Sequence, residues 1–271
     1  MNAHPPLTLG IDAIGLLAPG LPDWSAALPV MRGLQAWQAT PLTVPAPQRL
    51  AAAERRRVGA TTRLALACIE QMFAQAADAD PATVATVFAA SSGDGDNCHA
   101  LCEALAQADR LVSPTRFTNS VHNAPAGYWS IAAGARVPSS SLCAFDGSFC
   151  AGLLEAGVQA LATGQAVALV SSEVPYPEPI HSTRPLAAPF AVALLLRPPG
   201  TSARLARIEL GSLDEDACDA LPDAGLEGLR QGVPAARSLP LLAAIAGDRP
   251  ALVRLEALDG QSLPVKVLPC A

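Results

Sequence analysis

Charged side chains are scarce in this sequence, and basic ones are scarcer than acidic ones. Of its 271 residues only 15% are charged, and 18 basic residues against 24 acidic ones leave a net charge of −6 at pH 7. A protein that binds nucleic acid or an anionic membrane needs a surface dense in positive charge, because it must neutralise several phosphates at once. The composition therefore argues against both kinds of partner.

Long apolar runs are missing as well. No stretch approaches the ~18–20 uninterrupted apolar residues that a membrane-spanning helix requires. Residues 1–17 have no basic segment ahead of their apolar part, so we expect no secretory signal. Since 51% of the residues are hydrophobic, the chain can still bury a substantial core. These features favour a folded cytoplasmic protein that does not bind membranes.

Residue patterns that hold metals or cofactors are also few. The seven cysteines are odd in number and scattered through apolar sequence, which suggests reduced, mostly buried thiols in a cytosolic protein. The cluster Cys98-His99-x-x-Cys102 lacks the second ligand pair of a zinc site. The turn at residues 91–96 contains Gly-x-Gly but lacks the lysine of a phosphate loop. We therefore expect neither a metal nor a cofactor.

The hydrophobic pattern alternates between strand-like and helical segments, which is typical of an α/β protein. Residues 48–76 form the strongest helical pattern, and residues 98–108 predict a helix capped by Asp96 or Asn97. Further helices are predicted at residues 121–133, 148–163 and 239–246. Strands are predicted at residues 7–16, 83–90, 138–144, 166–171 and 190–197, with a terminal patterned segment at 251–267.

The segment 117–171 resembles the β-ketoacyl synthases. In that family an Asn-x-x-x-Gly helix leads through a Gly-x-x-x-Pro-Ser turn and a strand to a nucleophilic cysteine. Asn123 and Gly127 match the helix, and Gly134, Pro138 and Ser139 match the turn. The phrase NSVHNAPAGYWSIA is most similar to short synthase-like N-terminal domains and chain-length factors.

The resemblance implies a thiolase-like α/β fold: a central, mostly parallel sheet with helices on both faces. Residues 1–200 would form a complete first half, and residues 201–271 an abbreviated segment that completes the same domain. Family members pair across the strand before the nucleophile helix, so residues 139–144 are the expected dimer edge.

The family's nucleophile is missing. Counting from Gly127 places Asp146 at the cysteine position, whereas counting back from Gly164 places Gly147 there. Neither residue can form the thioester through which the family condenses acyl chains. The family's histidine motifs are missing too. The four histidines of the chain are His4, His99, His122 and His181.

Several residues near this position have both a structural and a functional interpretation. Asp146 suits a helix N-cap or a polar group in a pocket. Ser148 is a weak substitute nucleophile, because no adjacent base is evident. Cys143 and Cys150 are more typical of small buried hydrophobes. His122 suits a structural histidine whose ring nitrogens are satisfied, or an unusual functional one.

The resemblance implies a non-condensing, chain-length-factor-type subunit of a type II fatty-acid or polyketide pathway, with an aryl-polyene pigment pathway as the narrower expectation. Its partners would be an active β-ketoacyl synthase and an acyl carrier protein. Two alternatives remain open. One is a carrier-protein-dependent acyltransferase or malonyl decarboxylase with a non-standard nucleophile at Ser148, Cys150 or His122. The other is a self-dimerising scaffold.

Overall fold

The computed structural model describes residues 7–201, 203–258 and 260–270. The strands are β1 Leu7–Leu17, β2 Ala85–Ala89, β3 Ser139–Leu142, β4 Val167–Glu173, β5 Phe190–Arg197, β6 Ala206–Leu210, β7 Ala251–Glu256 and β8 Ser262–Pro269. The helices are α1 Trp24–Met31, α2 Ala52–Arg55, α3 Ala60–Gln75, α4 Gly95–Ala106, α5 Pro114–Ser120, α6 Ala124–Ala133, α7 Ser148–Thr163, α8 Ile180–Thr183, α9 Ala224–Gly232 and α10 Leu239–Ala246. Two short 3₁₀ helices are Phe145–Gly147 and Pro234–Ser238.

All eight strands form one sheet, in the order β3-β2-β4-β5-β1-β6-β8-β7. β2 runs parallel to β3 and β4, and every other neighbouring pair is antiparallel. The sheet is therefore mixed rather than mostly parallel. The sheet differs from the expectation because β5 and β1 run antiparallel to their neighbours and the C-terminal segment adds the antiparallel hairpin β7–β8. Only the pairs of β2 with β3 and β4 are parallel, and their connections pass through helices.

Helices cover both faces of this sheet, as expected for the thiolase-like α/β fold. Alternate residues of β5 divide between the two layers: Val192 and Leu194 face the core under α7 and α10, while Ala193 and Leu195 face the core under α3 and α6. This period of two explains why the central strands are apolar along their whole length. No helix among the described residues is long and apolar enough to cross a membrane.

Several predicted elements are confirmed at their limits, namely α7, β5 and α10. The single helix expected over residues 48–76 is wrong, because α2 ends at Arg55 and α3 begins only at Ala60. Gly59 lies in the break, where a Cβ atom would be 2.3 Å from Oδ2 of Asp94. Asp94 is also the residue that caps α4, in place of Asp96 or Asn97.

Candidate functional site

The chain turns sharply between β3 and α7, at residues 144–148, which we call the elbow. One turn of 3₁₀ helix, Phe145–Gly147, leads directly into α7. Phe145 has a φ of 48°, which is uncommon for a residue other than glycine. The Ser148 hydroxyl closes the turn, because it donates to the carbonyl oxygen of Phe145 at 2.7 Å and accepts from the amide of Ala144 at 3.0 Å.

Asp146 lies within the elbow and pairs with two arginines. Its Oδ1 is 2.7 Å from Nη2 of Arg184, and its Oδ2 is 3.2 Å from Nη2 of Arg237. The expectation that Asp146 caps α7 is wrong: Gly147 occupies the cap position, and no described side chain accepts a hydrogen bond there. The carboxylate instead takes two charge-assisted hydrogen bonds, which are stronger than a neutral cap bond.

The ion pair between Asp146 and Arg237 begins a row of ion pairs that extends into the C-terminal segment. Arg237 also contacts Glu256 at 3.1 Å, and Glu256 contacts Arg230 at 3.1 Å. Arg230 lies 2.7 Å from Glu227, and its hydrogen bonds lower the pKa of Glu227 to about 2. Since Arg230 and Arg237 are buried, the row keeps two interior positive charges compensated.

Gly147 is covered by the turn between β7 and β8. A Cβ atom at this position would lie 2.8 Å from Cγ of Leu258 and 3.2 Å from the carbonyl carbon of Ala257. A side chain there would have to displace the turn, because close-packed atoms leave no such space. Of the two positions that align with the family's cysteine, Asp146 is therefore the one that can present a side chain.

A cavity of about 350 Å³ opens beside the elbow, and we refer to it as the elbow cavity. Ser91, Ser92, Tyr176 and Arg184 contribute polar groups to its wall, and Cys98 contributes a thiol. The Tyr176 hydroxyl is 2.6 Å from Oγ of Ser92. The elbow cavity thus has a hydrogen-bonding wall next to the position where the family carries its nucleophile.

Arg184 connects this wall to the elbow. While it pairs with Asp146, its guanidinium carbon lies 3.8 Å from the centroid of the Phe145 ring. This distance is typical of a cation–π contact. The ring itself is 56% exposed, so Arg184 and Phe145 together form one side of the cavity opening.

Glu173 is a buried acid behind the elbow cavity. It ends β4, and its carboxylate accepts hydrogen bonds from the amide of Ser91 at 2.6 Å and from Oγ of Ser91 at 2.9 Å. Burial raises the pKa of Glu173 to about 7, although the hydrogen bonds from Ser91 act in the opposite direction. This carboxyl group therefore changes protonation near neutral pH.

Two of the weak nucleophile candidates from the sequence, Ser148 and Cys150, are enclosed. Ser148 is fully buried, and its hydroxyl is used in the turn. Cys150 is 1% exposed, and burial raises the pKa of its thiol to about 12. No described histidine hydrogen-bonds to either side chain. A protonated thiol and an engaged hydroxyl are both weak nucleophiles.

His122 lies at the junction of α5 and α6. Its Nε2 is buried and has no hydrogen-bond partner among the described residues, which differs from the satisfied histidine that the sequence suggested. His99 lies 3.4 Å from Glu103 on α4, and His181 lies on α8. His4 is outside the described residues.

The expectation of mostly buried cysteines is wrong. Cys68 and Cys150 are buried, Cys218 is half-buried, and the exposed ones are Cys98, Cys102, Cys143 and Cys270. Cys143, predicted as a buried residue, follows the edge strand β3, where no further strand covers it; its Sγ donates to the carbonyl of Ser91 at 2.8 Å. Within the described ranges no three metal-ligating side chains form a cluster.

The residues Glu173, Tyr176, Arg184 and Arg237 are the part of the site that sequence reasoning missed. A signal did exist for Glu173, because it ends β4 while Ser91 follows the parallel neighbour β2. The carboxyl ends of parallel strands meet at one edge of a sheet. Arg237 gave no such signal, since its approach depends on how the C-terminal segment folds back.

A groove of about 590 Å³ runs beside α5 and α6, and we name it the α5–α6 groove. Val121, Tyr128 and Ile131 line it, together with Arg57 from the break between α2 and α3. Ile131 is 65% exposed, and nearby Phe117 on α5 is 62% exposed. Large apolar side chains exposed together are unusual on a protein that acts alone.

Five arginines lie within 15 residues of sequence beside this groove, and we call them the arginine cluster. Its members are Arg49, Arg55, Arg56, Arg57 and Arg63. Arg57 pairs with Glu54 at 3.0 Å, while Arg49, Arg56 and Arg63 are exposed and form no ion pair with any residue that the structure describes. The cluster is a local positive surface on a negatively charged chain.

Taken together, the thiolase-like sheet and the turn from β3 into α7 define the class of protein as ketosynthase-like. A family model described as "Beta-ketoacyl synthase, N-terminal domain" matches residues 32–232. The chain therefore belongs to the β-ketoacyl synthase N-terminal domain family, as the resemblance predicted.

Solved structures share this fold. The ketosynthase ApeO in complex with its chain length factor ApeC from Xenorhabdus doucetiae gives a TM-score of 0.72 at 24% identity, over 95% of this chain and 98% of that chain. The ishigamide ketosynthase/chain length factor gives 0.72 at 15% identity, over 97% and 100%. A β-ketoacyl synthase from Burkholderia phymatum STM815 gives 0.63 at 12% identity, over 97% and 100%. Among curated proteins no match is found.

Proposed function

We propose that this chain is a non-condensing subunit of the chain-length-factor type, acting in the cytoplasm within a type II fatty-acid or polyketide pathway. The observation that carries the proposal is the elbow, where Asp146 is held by Arg184 and Arg237 and Gly147 is covered by the β7–β8 turn. Neither position can supply a thiolate, so the chain would serve condensation that a partner carries out.

The partner would be an active β-ketoacyl synthase. The outer side of β3 pairs with no described residue. Helix α6, which lines the apolar α5–α6 groove, contacts β3. An open strand edge beside exposed apolar side chains suits the addition of a strand from a second subunit. The elbow cavity would then lie close to the interface and help to enclose the growing acyl chain.

The arginine cluster suits an acidic partner, and we assign it to the acyl carrier protein. Four of its five guanidinium groups, all except that of Arg57, have no carboxylate partner among the described residues, so a carboxylate-rich surface would gain attraction there at little desolvation cost. An aryl-polyene pigment pathway is the narrower assignment. It is supported by the sequence resemblance alone.

Co-expression with a candidate partner β-ketoacyl synthase tests the pairing. Native mass spectrometry should give a one-to-one heterodimer, and condensation of malonyl- and acyl-carrier protein should require both chains and the synthase's cysteine. A stable homodimer that does not bind the synthase would favour the self-dimerising scaffold and overturn this proposal.

Intact-mass measurement tests the enzymatic alternative. After incubation with malonyl- and acyl-carrier protein, we expect this chain to carry no acyl adduct and to release no CO₂ without the synthase. An adduct that is lost in Ser148→Ala or Cys150→Ala would instead establish a covalent acyltransferase. Decarboxylation that is lost in His122→Ala would establish a malonyl decarboxylase.

A further inference from the structure

We propose that this protein holds one structural water in a small internal cavity, where the water bridges Asp94, Asn119 and His122. The cavity has a volume of about 20 Å³ and is lined by all three residues. A site needs about 10–15 Å³ and two to four polar partners to hold a water. This cavity meets both conditions.

Three polar atoms here have no protein partner. Oδ2 of Asp94, Oδ1 of Asn119 and Nε2 of His122 are buried and make no hydrogen bond with any described residue. Asp94 is 5% exposed and Asn119 is 2% exposed, so bulk water does not reach them freely. Buried polar groups are nearly always hydrogen-bonded, and three such groups on residues that line one cavity point to a shared partner.

The other polar side-chain atoms of Asp94 and Asn119 already have hydrogen-bond partners in the fold. Oδ1 of Asp94 accepts from the amide of Asn97 at 3.0 Å and thereby caps α4. Nδ2 of Asn119 donates to the carbonyl of Arg57 at 2.6 Å. Each side chain therefore leaves one oxygen as a free acceptor. Rotating either side chain to pair this oxygen elsewhere would break the hydrogen bond that the side chain already makes.

The chemistry of these atoms matches a water molecule. A water can donate to Oδ2 of Asp94 and to Oδ1 of Asn119 while it accepts from the Nε2–H tautomer of His122. A metal cation fits less well, because it would need the lone pair of Nε2 and more oxygen ligands than this set offers.

The bridge would join three separate segments. Asp94 starts α4, His122 joins α5 to α6, and Asn119 anchors the chain at Arg57 before α3. Asp94 also lines the elbow cavity, and Arg57 also lines the α5–α6 groove. The water therefore stabilises the wall between the two surfaces to which we assign function, although its presence does not depend on that assignment.

Oxygen-17 magnetic relaxation dispersion, which counts long-lived internal waters, tests the site in the full-length chain. The count should fall by one from the wild type to His122→Phe. It should not change in His181→Phe, a matched control in which the lost Nδ1 is also buried and unpartnered but lies away from this cavity.

A high-resolution crystal structure of the wild type provides the second measurement, which remains decisive if His122→Phe does not fold. We expect density within about 2.7–3.2 Å of all three atoms. Equal water counts, a dry cavity, or a His122 ring turned onto a protein partner would each refute the proposal. A melting temperature that depends on Na⁺ or K⁺ but not on choline, and shifts less in Asp94→Asn, would assign the site to a cation instead.

Discussion

The two edges of the sheet are protected very differently. Along β7, the amide of Asp219 donates to the carbonyl of Arg254 at 3.0 Å, and the amide of Arg254 donates to Oδ2 of Asp219 at 2.8 Å. The Arg254 side chain adds an ion pair with Asp216 at 2.6 Å. Along β3, no described residue covers the outer side. Since an open edge invites unwanted pairing, the contrast supports our proposal that β3 is the edge at which a partner binds.

The largest expected effect comes from blocking the open edge. The amides of Thr86 and Ala90 donate to the carbonyls of Pro138 and Leu142, so the backbone of Ser141, between these acceptors, faces away from β2. Ser141→Pro removes an outward N–H without removing a bond to β2. It should weaken association with the synthase by about 1–3 kcal/mol, which is roughly 5- to 150-fold, as measured by calorimetry.

The matched control for this substitution is Leu252→Pro on the covered edge. Leu252 lies two residues from Arg254 and shares its outward backbone direction, and its side chain is 56% exposed. Association with the synthase should be unchanged in this variant. Equal weakening by both prolines would mean that β3 is not the paired edge.

The half of the sheet near β3 and the half near β7 also differ in the surroundings of their glutamates. Glu173, near the open edge, has its pKa raised to about 7 by burial, despite the hydrogen bonds from Ser91, whereas Glu209 on β6 pairs with Lys266 at 3.1 Å. With the folded-state pKa above the unfolded one, the folded state binds more protons, so stability is lost as pH rises from about 4.5 to about 7. The loss should be on the order of 3 kcal/mol.

Urea unfolding at pH 5 and pH 8 measures this loss. Glu173→Gln should remove most of the difference between the two pH values, because the amide does not titrate. Glu209→Gln, on the covered side, should leave the difference in place. If the wild type is equally stable at both pH values, the buried carboxyl is not the group that we describe.

A charge in the α5–α6 groove should have a somewhat smaller effect. Ile131→Glu places a carboxylate where we expect apolar contact with the synthase, and should weaken association by about tenfold. Because Ile131 is 65% exposed in the isolated chain, its own stability should barely change. Leu252→Glu, a comparably exposed residue on the covered edge, is the control, and calorimetry should show no weakening for it.

Local sequence predicted α7, on the open side of the sheet, well. Ser148–Thr163 has small residues at contact positions and a glycine that ends the helix at residue 164, where φ is 65°. Both signals act within a few residues, so they can be read directly. The break at Gly59 is different, because its cause is the side chain of Asp94, which is distant in sequence.

The candidate site also combines a feature that depends on local sequence with one that depends on residues distant in sequence. The lack of a cysteine at both Asp146 and Gly147 can be seen directly in the sequence, because it concerns the residue types of a local motif. The role of Asp146 could not be predicted, because Arg184 and Arg237 reach it from 38 and 91 residues away. Local rules favoured a helix cap, and the stronger charged partners came from tertiary structure.

The smallest expected effect concerns the elbow ion pairs. Asp146 is about one third exposed, and Arg237 keeps Glu256 as a partner, so Asp146→Ala should lower the free energy of unfolding by only about 1 kcal/mol. Asp216→Ala, which removes an exposed partner of Arg254 at the covered edge, should cost less in the same urea titration. A larger loss for Asp216→Ala would mean that the cover over β7, rather than the elbow, stabilises the C-terminal segment.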